Sequence, residues 1–148
     1  MSELSTSTIL ALHALQSMML KGAAVSAGEI SRSSGFPTAQ IRSILAKLQS
    51  EGMIHSRIGR GYVLTRSPGE ITLSQVMEAM DEPQTPTAPC GGDFEACAAR
   101  ASCVLVPLCR GAAQRFQETA RSFTLAELRR VPLDLPLCVV PGSRAGAS

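Results

Sequence analysis

Glycines at positions 22, 35 and 52 divide the start of the chain into short segments, and this division constrains the fold more than any other feature. Before Gly22, apolar residues recur at helical spacing behind a run of serine and threonine caps. A capping-box pattern then opens a second short helix that ends at Gly35. Pro37 marks the start of a third helix, which Gly52 closes. The pattern predicts three consecutive helices.

The chain changes character after the third helix. Two short stretches, residues 53–57 and 62–66, flank a glycine-containing turn at 58–61. Short strands around such a turn are typical of a β-hairpin. Three helices and a hairpin are the element order of a winged helix-turn-helix, in which the third helix enters the major groove of DNA and the hairpin lies beside it. We therefore expect a mainly α-helical fold with a small β-hairpin wing.

The third helix and the wing carry side chains suited to DNA. Arg42 can pair with guanine and Gln40 with adenine, and in the wing Arg60 is the better candidate for the minor groove. The same residues would also suit the polar face of an ordinary helical domain, but the basic wing that follows them favours DNA. The predicted DNA-binding residues are Thr38, Gln40, Arg42, Ser43 and Lys47 in the helix, and Arg57 and Arg60 in the wing.

Charge is distributed unevenly along the chain. Residues 1–66 hold seven Lys/Arg and three Asp/Glu, whereas residues 67–109 hold one Arg and six Asp/Glu. A basic first block fits binding to a polyanion such as DNA, although a solvated surface would have the same composition.

The meaning of the five cysteines depends on the compartment. No apolar run approaches the roughly 20 residues that a membrane-spanning helix needs, and the N-terminus lacks the pattern of a signal peptide. We therefore expect a cytoplasmic protein without a membrane partner, in which thiols stay reduced. Cysteines in that compartment indicate metal ligands or redox groups before disulfides.

Four of the cysteines lie close together in the second half of the chain. Cys90, Cys97, Cys103 and Cys109 are separated by six, five and five residues, so no pair has the C-x-x-C spacing of a zinc ribbon or a ferredoxin. Spacing alone supports structural thiols and a metal site equally. A loop of this kind, beginning with two glycines, can still wrap a bulky inorganic cluster.

Breaks in the sequence pattern divide the chain into four predicted parts. Residues 1–80 would form the winged helix-turn-helix, including a fourth helix after Thr72, and residues 81–103 a linker and cysteine loop. Residues 104–130 would form a long helix and a final short helix. Residues 131–148, rich in Pro, Gly and Ala, would form a flexible tail.

These motifs, in this order, resemble the IscR/NsrR/RirA family of bacterial winged-helix regulators from Leu4 to about Leu128. The likeness is carried by the segments IRSILAKL (41–48), EGMIHS (51–56), GRGYVL (59–64), ITLSQVM (71–77) and FTLAEL (123–128), and by the cysteines at 90, 97 and 103. The resemblance implies a homodimer that pairs through the long helix and binds a palindromic operator in double-stranded DNA. It also implies one iron–sulfur cluster per subunit, [2Fe-2S] or [4Fe-4S], on Cys90, Cys97 and Cys103.

The fourth ligand of such a cluster is open. In several relatives it comes from the first helix of the partner subunit, where His13 lies in this chain, and imidazole is an acceptable iron ligand. Otherwise His13 would pack against the core or the dimer interface. Cys109 is the rival ligand, and would otherwise be a buried thiol.

The resemblance implies a transcription regulator, expected to be a repressor, whose operator affinity follows cluster state in response to nitric oxide, iron, redox or cluster status. The sequence contains no Gly-rich phosphate loop and no plausible nucleophile–base pair, so we expect no enzyme. A regulator of the same fold that senses thiol oxidation without a cluster is one alternative. A small iron–sulfur electron carrier and a zinc-stabilised interaction module are others.

Overall fold

The computed structural model describes residues 4–81 and 102–129. Its helices are α1 (Thr6–Lys21), α2 (Ala27–Ser34), α3 (Thr38–Ser50), α4 (Leu73–Ala79) and α5 (Val106–Ser122). The strands are β1 (Ile54–Arg57) and β2 (Gly61–Leu64), and two 3-10 helices span Pro68–Glu70 and Leu125–Arg129. The fold is mainly α-helical with one antiparallel hairpin, which confirms the winged-helix fold expected from the sequence.

The helices of the first half begin and end where the local sequence signals it. Ser5 caps α1, its Oγ accepting a hydrogen bond from the Thr8 backbone N–H at 3.2 Å. At the start of α2, the Glu29 N–H donates to Ser26 Oγ at 3.1 Å and the Ser26 N–H donates to a Glu29 carboxylate oxygen at 2.7 Å. Each such cap contributes about 1 kcal/mol to helix stability because it satisfies backbone donors that the helix leaves free.

The core lies between α1, α3 and the inner side of the hairpin. Helix α1 is buried on most sides, whereas α3 buries one stripe, formed by Ile41, Ile44, Leu45 and Leu48. These four positions recur at helical spacing, so burying them leaves the opposite side of α3 in solvent. Burying each large aliphatic side chain stabilises the fold by roughly 1.5–3 kcal/mol.

A backbone bridge joins the hairpin to the segment that precedes α2. Strands β1 and β2 pair from Ile54 with Leu64 to Arg57 with Gly61. Beside β2, Val25 and Tyr62 exchange two backbone hydrogen bonds of 3.0 and 2.8 Å. Gly61 has a φ of +110°, and a Cβ added there would lie 2.5 Å from the carbonyl oxygen of Val25. Only glycine allows the wing to approach the chain this closely.

The end of α5 returns to the winged-helix core. The Leu73 N–H donates to the Phe123 carbonyl at 2.9 Å, and the Leu125 N–H donates to the Ile71 carbonyl at 2.8 Å. The buried side chain of Gln16, in α1, donates to the carbonyl of Leu128 at 2.8 Å. The 3-10 helix after α5 is therefore attached to α1 and to the start of α4.

Most of the predicted cysteine loop, at 82–101, and the predicted tail, at 131–148, lie outside the described residues, so the predicted domain boundaries stay predictions. In the two described ranges, no helix is long and apolar enough to cross a bilayer.

Candidate functional site

The solvent-facing side of α3 carries every side chain that the sequence predicts for DNA contact in this helix. Arg42, Ser43 and Lys47 are exposed, and Thr38 and Gln40 are partly exposed. The buried stripe of the same helix holds this face outward, because it fixes the rotation of the helix about its axis. The structure therefore brings the five residues together on one surface.

One of these five side chains already has a partner. Lys47 Nζ lies 3.2 Å from Oδ2 of Asp81, the residue that follows the end of α4. Both side chains remain largely in solvent, so the ion pair is weak and salt-sensitive. A DNA phosphate approaching α3 would compete with Asp81 for this ammonium.

The tip of the wing presents both predicted arginines to solvent. Arg57 and Arg60 are exposed, and the Arg60 N–H closes the turn by donating to the Arg57 carbonyl at 3.0 Å. Ile58 is fully exposed between them. Among the described residues, this apolar side chain has no packing partner.

Below the tip, the outer side of the wing forms one wall of an open groove of about 810 Å³. The other walls are the C-terminal end of α1 and the 3-10 helix Leu125–Arg129. The basic side chains lining this groove, named here the wing groove, are Lys21, His55, Arg57, Arg60, Arg66 and Arg129. Among the residues that the structure describes, no acidic one lines it.

The cations of the wing groove differ in how they are paired. Lys21 Nζ lies 2.6 Å from a carboxylate oxygen of Glu29. This hydrogen bond, with those from Ser26, lowers the pKa of Glu29 to about 2. In the described part of the chain, Lys21–Glu29 and Lys47–Asp81 are the two ion pairs, so the four arginines of the groove face no carboxylate at ion-pair distance.

Two arginines of this cationic surface, Arg66 and Arg129, are not among the residues that the sequence predicts for DNA contact. Arg66 follows β2 directly, so a basic residue next to a predicted wing strand was an available signal. Arg129 had no local signal, because it reaches the wing through the return of the chain after α5.

Only part of the predicted cysteine site lies within the described residues. Cys103 is partly buried, forms no disulfide, and precedes the first turn of α5, where its carbonyl accepts a hydrogen bond from the Val106 N–H at 3.3 Å. Cys90 and Cys97 lie outside the described residues, as does the side chain of Cys109. Across residues 4–81 and 102–129, no group of three or more His, Cys, Asp or Glu side chains is arranged to hold a metal ion.

His13 lies at the contact between α1 and α2. Its Nε2 is 2.9 Å from Ser33 Oγ, whose hydroxyl donates to the Ile30 carbonyl at 3.1 Å. Ser33 therefore accepts from a protonated Nε2, and the lone pair is on Nδ1. That nitrogen is buried and has no hydrogen-bond partner among the described residues. Burial lowers the pKa of His13 below its usual value of 6.5, so the neutral ring is favoured.

The first turns of α5 leave apolar side chains in solvent. Val104 is 88% exposed, Leu108 63% and Leu105 41%. Large aliphatic side chains clustered at this level of exposure are typical of interaction surfaces.

Comparison with known proteins assigns most of the chain to one protein family. Residues 4–130 match the Rrf2 family model, described as an iron-dependent transcriptional regulator. A comparison with curated protein sequences finds no match.

Three solved structures have similar folds. CymR, the global cysteine regulator of B. subtilis, superposes with a TM-score of 0.70 at 20% identity, covering 90% of this chain and 100% of that one. Staphylococcus aureus CymR superposes with a TM-score of 0.68 at 18% identity, covering 88% of this chain and 99% of that one. T. potens IscR superposes with a TM-score of 0.66 at 19% identity, covering 97% of this chain and 96% of that one. At these identities the likeness establishes the fold.

Proposed function

This chain belongs to the Rrf2 family of transcriptional regulators, and on that premise we propose that it is a homodimeric repressor whose operator affinity is set by an iron–sulfur cluster. The observation that carries the proposal is that α3 exposes a polar face and that the wing following it exposes two arginines with no ion-pair partner among the described residues. Such a surface suits duplex DNA, which offers base edges in its grooves and phosphates along its walls.

In the proposed complex, α3 enters the major groove. Arg42 donates two hydrogen bonds to a guanine, Gln40 reads an adenine, and Thr38 and Ser43 contact phosphate or base edges. Lys47 leaves Asp81 to neutralise a phosphate. The wing lies on the neighbouring minor groove with Arg60 inserted and Arg57 on the backbone.

A second subunit is required for a palindromic operator. The exposed apolar side chains at positions 104, 105 and 108 support dimerisation through α5, because pairing with a second copy would remove them from water. Two-fold symmetry would then place two copies of α3 in successive major grooves on one side of the duplex.

We assign the cluster to Cys90, Cys97 and Cys103, with His13 of the partner subunit as the fourth ligand and Cys109 as the alternative. The description of the family as iron-dependent supports iron at this site. Cys103 fits the chemistry as an unbridged thiol, whereas the lone pair of His13 lies on a buried nitrogen, so its ring would have to turn outward to reach a cluster of the partner subunit. When bound, the cluster would supply the reactivity towards nitric oxide, oxygen or changes in iron supply.

The chain offers a route from this site to α3. Cys103 lies three residues before α5, and α5 packs against α4, which Asp81 follows by two residues. Asp81 pairs with Lys47 on the DNA-facing side of α3. A change in the order of the loop between Asp81 and Cys103 would therefore alter how strongly Lys47 is held.

The test is anaerobic purification of the full chain, followed by a visible absorption spectrum and analysis of iron and sulfide. We expect a brown protein with both elements near stoichiometric, and loss of both in Cys103→Ser. Cys138→Ser is the matched control, since Cys138 lies in the predicted tail and should keep the cluster. A colourless, iron-free protein, even after attempted reconstitution, would reject the cluster.

The similarity in fold to CymR supports a second candidate, a cluster-free regulator that responds to thiol oxidation. One of the matching structures is an oxidised form of Staphylococcus aureus CymR, with a TM-score of 0.69 at 17% identity. This candidate predicts a colourless protein whose DNA affinity changes when an oxidant forms a disulfide. The family description favours either regulator over an electron carrier or a zinc-stabilised module.

A further inference from the structure

The wing groove extends the basic surface beyond the residues that the sequence predicts for DNA contact. It runs from Arg57 and Arg60 on the wing to Arg66 beside it and to Arg129 in the 3-10 helix after α5. All four arginines are exposed, and none lies at ion-pair distance from a carboxylate in the described residues. We propose that this groove binds the phosphate backbone of DNA flanking the operator, beyond the step that Arg60 enters.

The register of the wing explains how its two arginines join the groove. His55 and Arg57 alternate along β1 with Ile54, which is buried, so both point away from the core. Arg129, which also lines the groove, lies at the end of a 3-10 helix. This helix is held in place by hydrogen bonds with α1 and with Ile71. The groove is therefore built on ordered backbone on both sides, although its cationic side chains extend into solvent.

The shape and charge of the groove favour a polyanion over a small anionic metabolite. Sites for small molecules enclose most of the ligand surface and hold a few polar groups in fixed positions. Here all four guanidinium groups are exposed, and in the described part of the chain no carboxylate lines the groove, where it would repel a continuous line of negative charge. Phosphates repeating along a duplex match an open row of cations, and each one neutralised releases condensed counterions.

This inference rests on the proposed function, because the groove would bind the same duplex that α3 reads. It assigns Arg66 and Arg129 to phosphate contacts that give affinity without sequence preference. The expected footprint on DNA is therefore longer than the operator bases read by α3 and Arg60.

The experiment measures the salt dependence of DNA binding by the full chain and by an Arg66→Gln/Arg129→Gln variant. The probes are a duplex that the wild-type chain selects from a random library and a random-sequence duplex. The negative slope of log K against log salt should become shallower by about 0.9 for each phosphate contact removed. Two arginines lost from each subunit of a dimer should therefore make it shallower by about 3.6. Affinity should fall by the same factor on both duplexes.

A matched control removes the same number of charges elsewhere. Arg110→Gln/Arg121→Gln alters two exposed arginines of α5 that do not line the groove and that lie on the side of the helix opposite Leu108, and should keep the wild-type slope and the wild-type dimer in sedimentation. A length series adds a second readout. Extending the selected duplex by one helical turn, about 10 base pairs, at each end should raise wild-type affinity but not that of the Arg66/Arg129 variant.

Several outcomes would overturn the inference. An unchanged slope and length dependence in the Arg66/Arg129 variant, or an equal fall in the α5 control, would remove the groove from the DNA interface. Micromolar binding of inorganic pyrophosphate, lost in the variant while its DNA slope stays unchanged, would assign the groove to a small anion instead. If the wild-type chain binds no duplex, the proposed function fails, and this inference fails with it. Sequence-specific binding with an unchanged slope rejects the groove alone.

Discussion

The ammonium group of Lys47 lies 3.2 Å from a carboxylate oxygen of Asp81, so a cation on the DNA-facing side of α3 is paired with the last described residue before the cysteine loop. Asp81 has a φ of +55° and is the single non-glycine residue with a positive φ among the described residues. Its side chain is 82% exposed and that of Lys47 45%. An ion pair this exposed contributes about 0.2–1 kcal/mol, little enough for a phosphate to replace.

Replacing Asp81 should therefore strengthen DNA binding. Asp81→Asn frees Lys47 and removes a negative charge from the approach to α3, and we expect about 1.4- to 5-fold tighter binding at low salt. Fluorescence anisotropy with a labelled duplex measures the effect, which should shrink as salt screens it. Glu78→Gln removes an exposed charge from α4 without touching Lys47. Equal gains in both variants would show that the ion pair does not matter.

Arg42 should determine sequence preference. If Arg42 reads a guanine, Arg42→Ala costs roughly 1–3 kcal/mol of binding free energy and relaxes the preference at one base pair per half-site. Lys47→Ala is the comparison, because a phosphate contact weakens binding to all sequences alike. A panel of operator variants, each changed at one position, separates the two patterns. Uniform weakening by Arg42→Ala would place that guanidinium on the backbone instead.

The wing should depend on Gly61 more than on Gly59. At Gly61 an added Cβ meets the Val25 backbone at 2.5 Å and the φ of +110° is strained for other residues, whereas at Gly59 the φ is +72° with nothing within 4 Å of the Cβ. Gly59→Ala should cost about 1–2 kcal/mol of unfolding free energy, the usual penalty of a left-handed residue. Gly61→Ala should cost more, since the Val25–Tyr62 hydrogen bonds must also move. Urea denaturation of both variants measures their unfolding free energies. Equal losses of stability in Gly59→Ala and Gly61→Ala would contradict the prediction.

The capping box of α2 should give the fold a defined loss of stability in acid. The pKa of Glu29 is lowered from 4.5 to about 2, first by the hydrogen bond from Lys21 and then by those from Ser26. The folded state therefore favours the carboxylate, and its stabilisation is complete above pH 4.5 and lost as pH falls towards 2. We expect the stability difference between wild type and Glu29→Gln to close across this window. A stability difference that stays constant as pH falls from about 6 to about 2 would contradict this expectation.

The exposed apolar turn of α5 should control the oligomeric state. Leu108→Glu places a charge at a position that is 63% exposed in the isolated chain and would be buried in a dimer. Analytical ultracentrifugation should show dissociation into monomers, with tight binding to a palindromic operator lost. Arg110→Glu, two residues along and on the opposite side of the helix, should leave the dimer intact. A Leu108→Glu dimer of wild-type affinity would exclude this face as the interface.

The sequence by itself determined the elements whose signals are local. Ser26, Glu29 and Gly35 were sufficient to start and end α2, because a capping box and a helix stop are satisfied within a few residues of the chain. The stripe from Ile41 to Leu48 was predictable for a similar reason, since the helical period alone decides which residues share a face. The start of α5 was less certain. It was expected near Val104, but the helix begins at Val106, with Pro107 in its first turn.

The tertiary structure alone decided which distant side chains meet. Arg129 shares a groove with Arg57 because the chain after α5 returns to α1, and Lys47 meets Asp81 because α4 packs beside α3. His13 could be placed on α1 from the sequence, but its hydrogen bond to Ser33 depends on how α1 and α2 cross. Local signals set helix boundaries and faces through hydrogen bonds over three or four residues. Contacts between elements depend on how their buried faces pack together, and no short segment of the chain encodes that geometry.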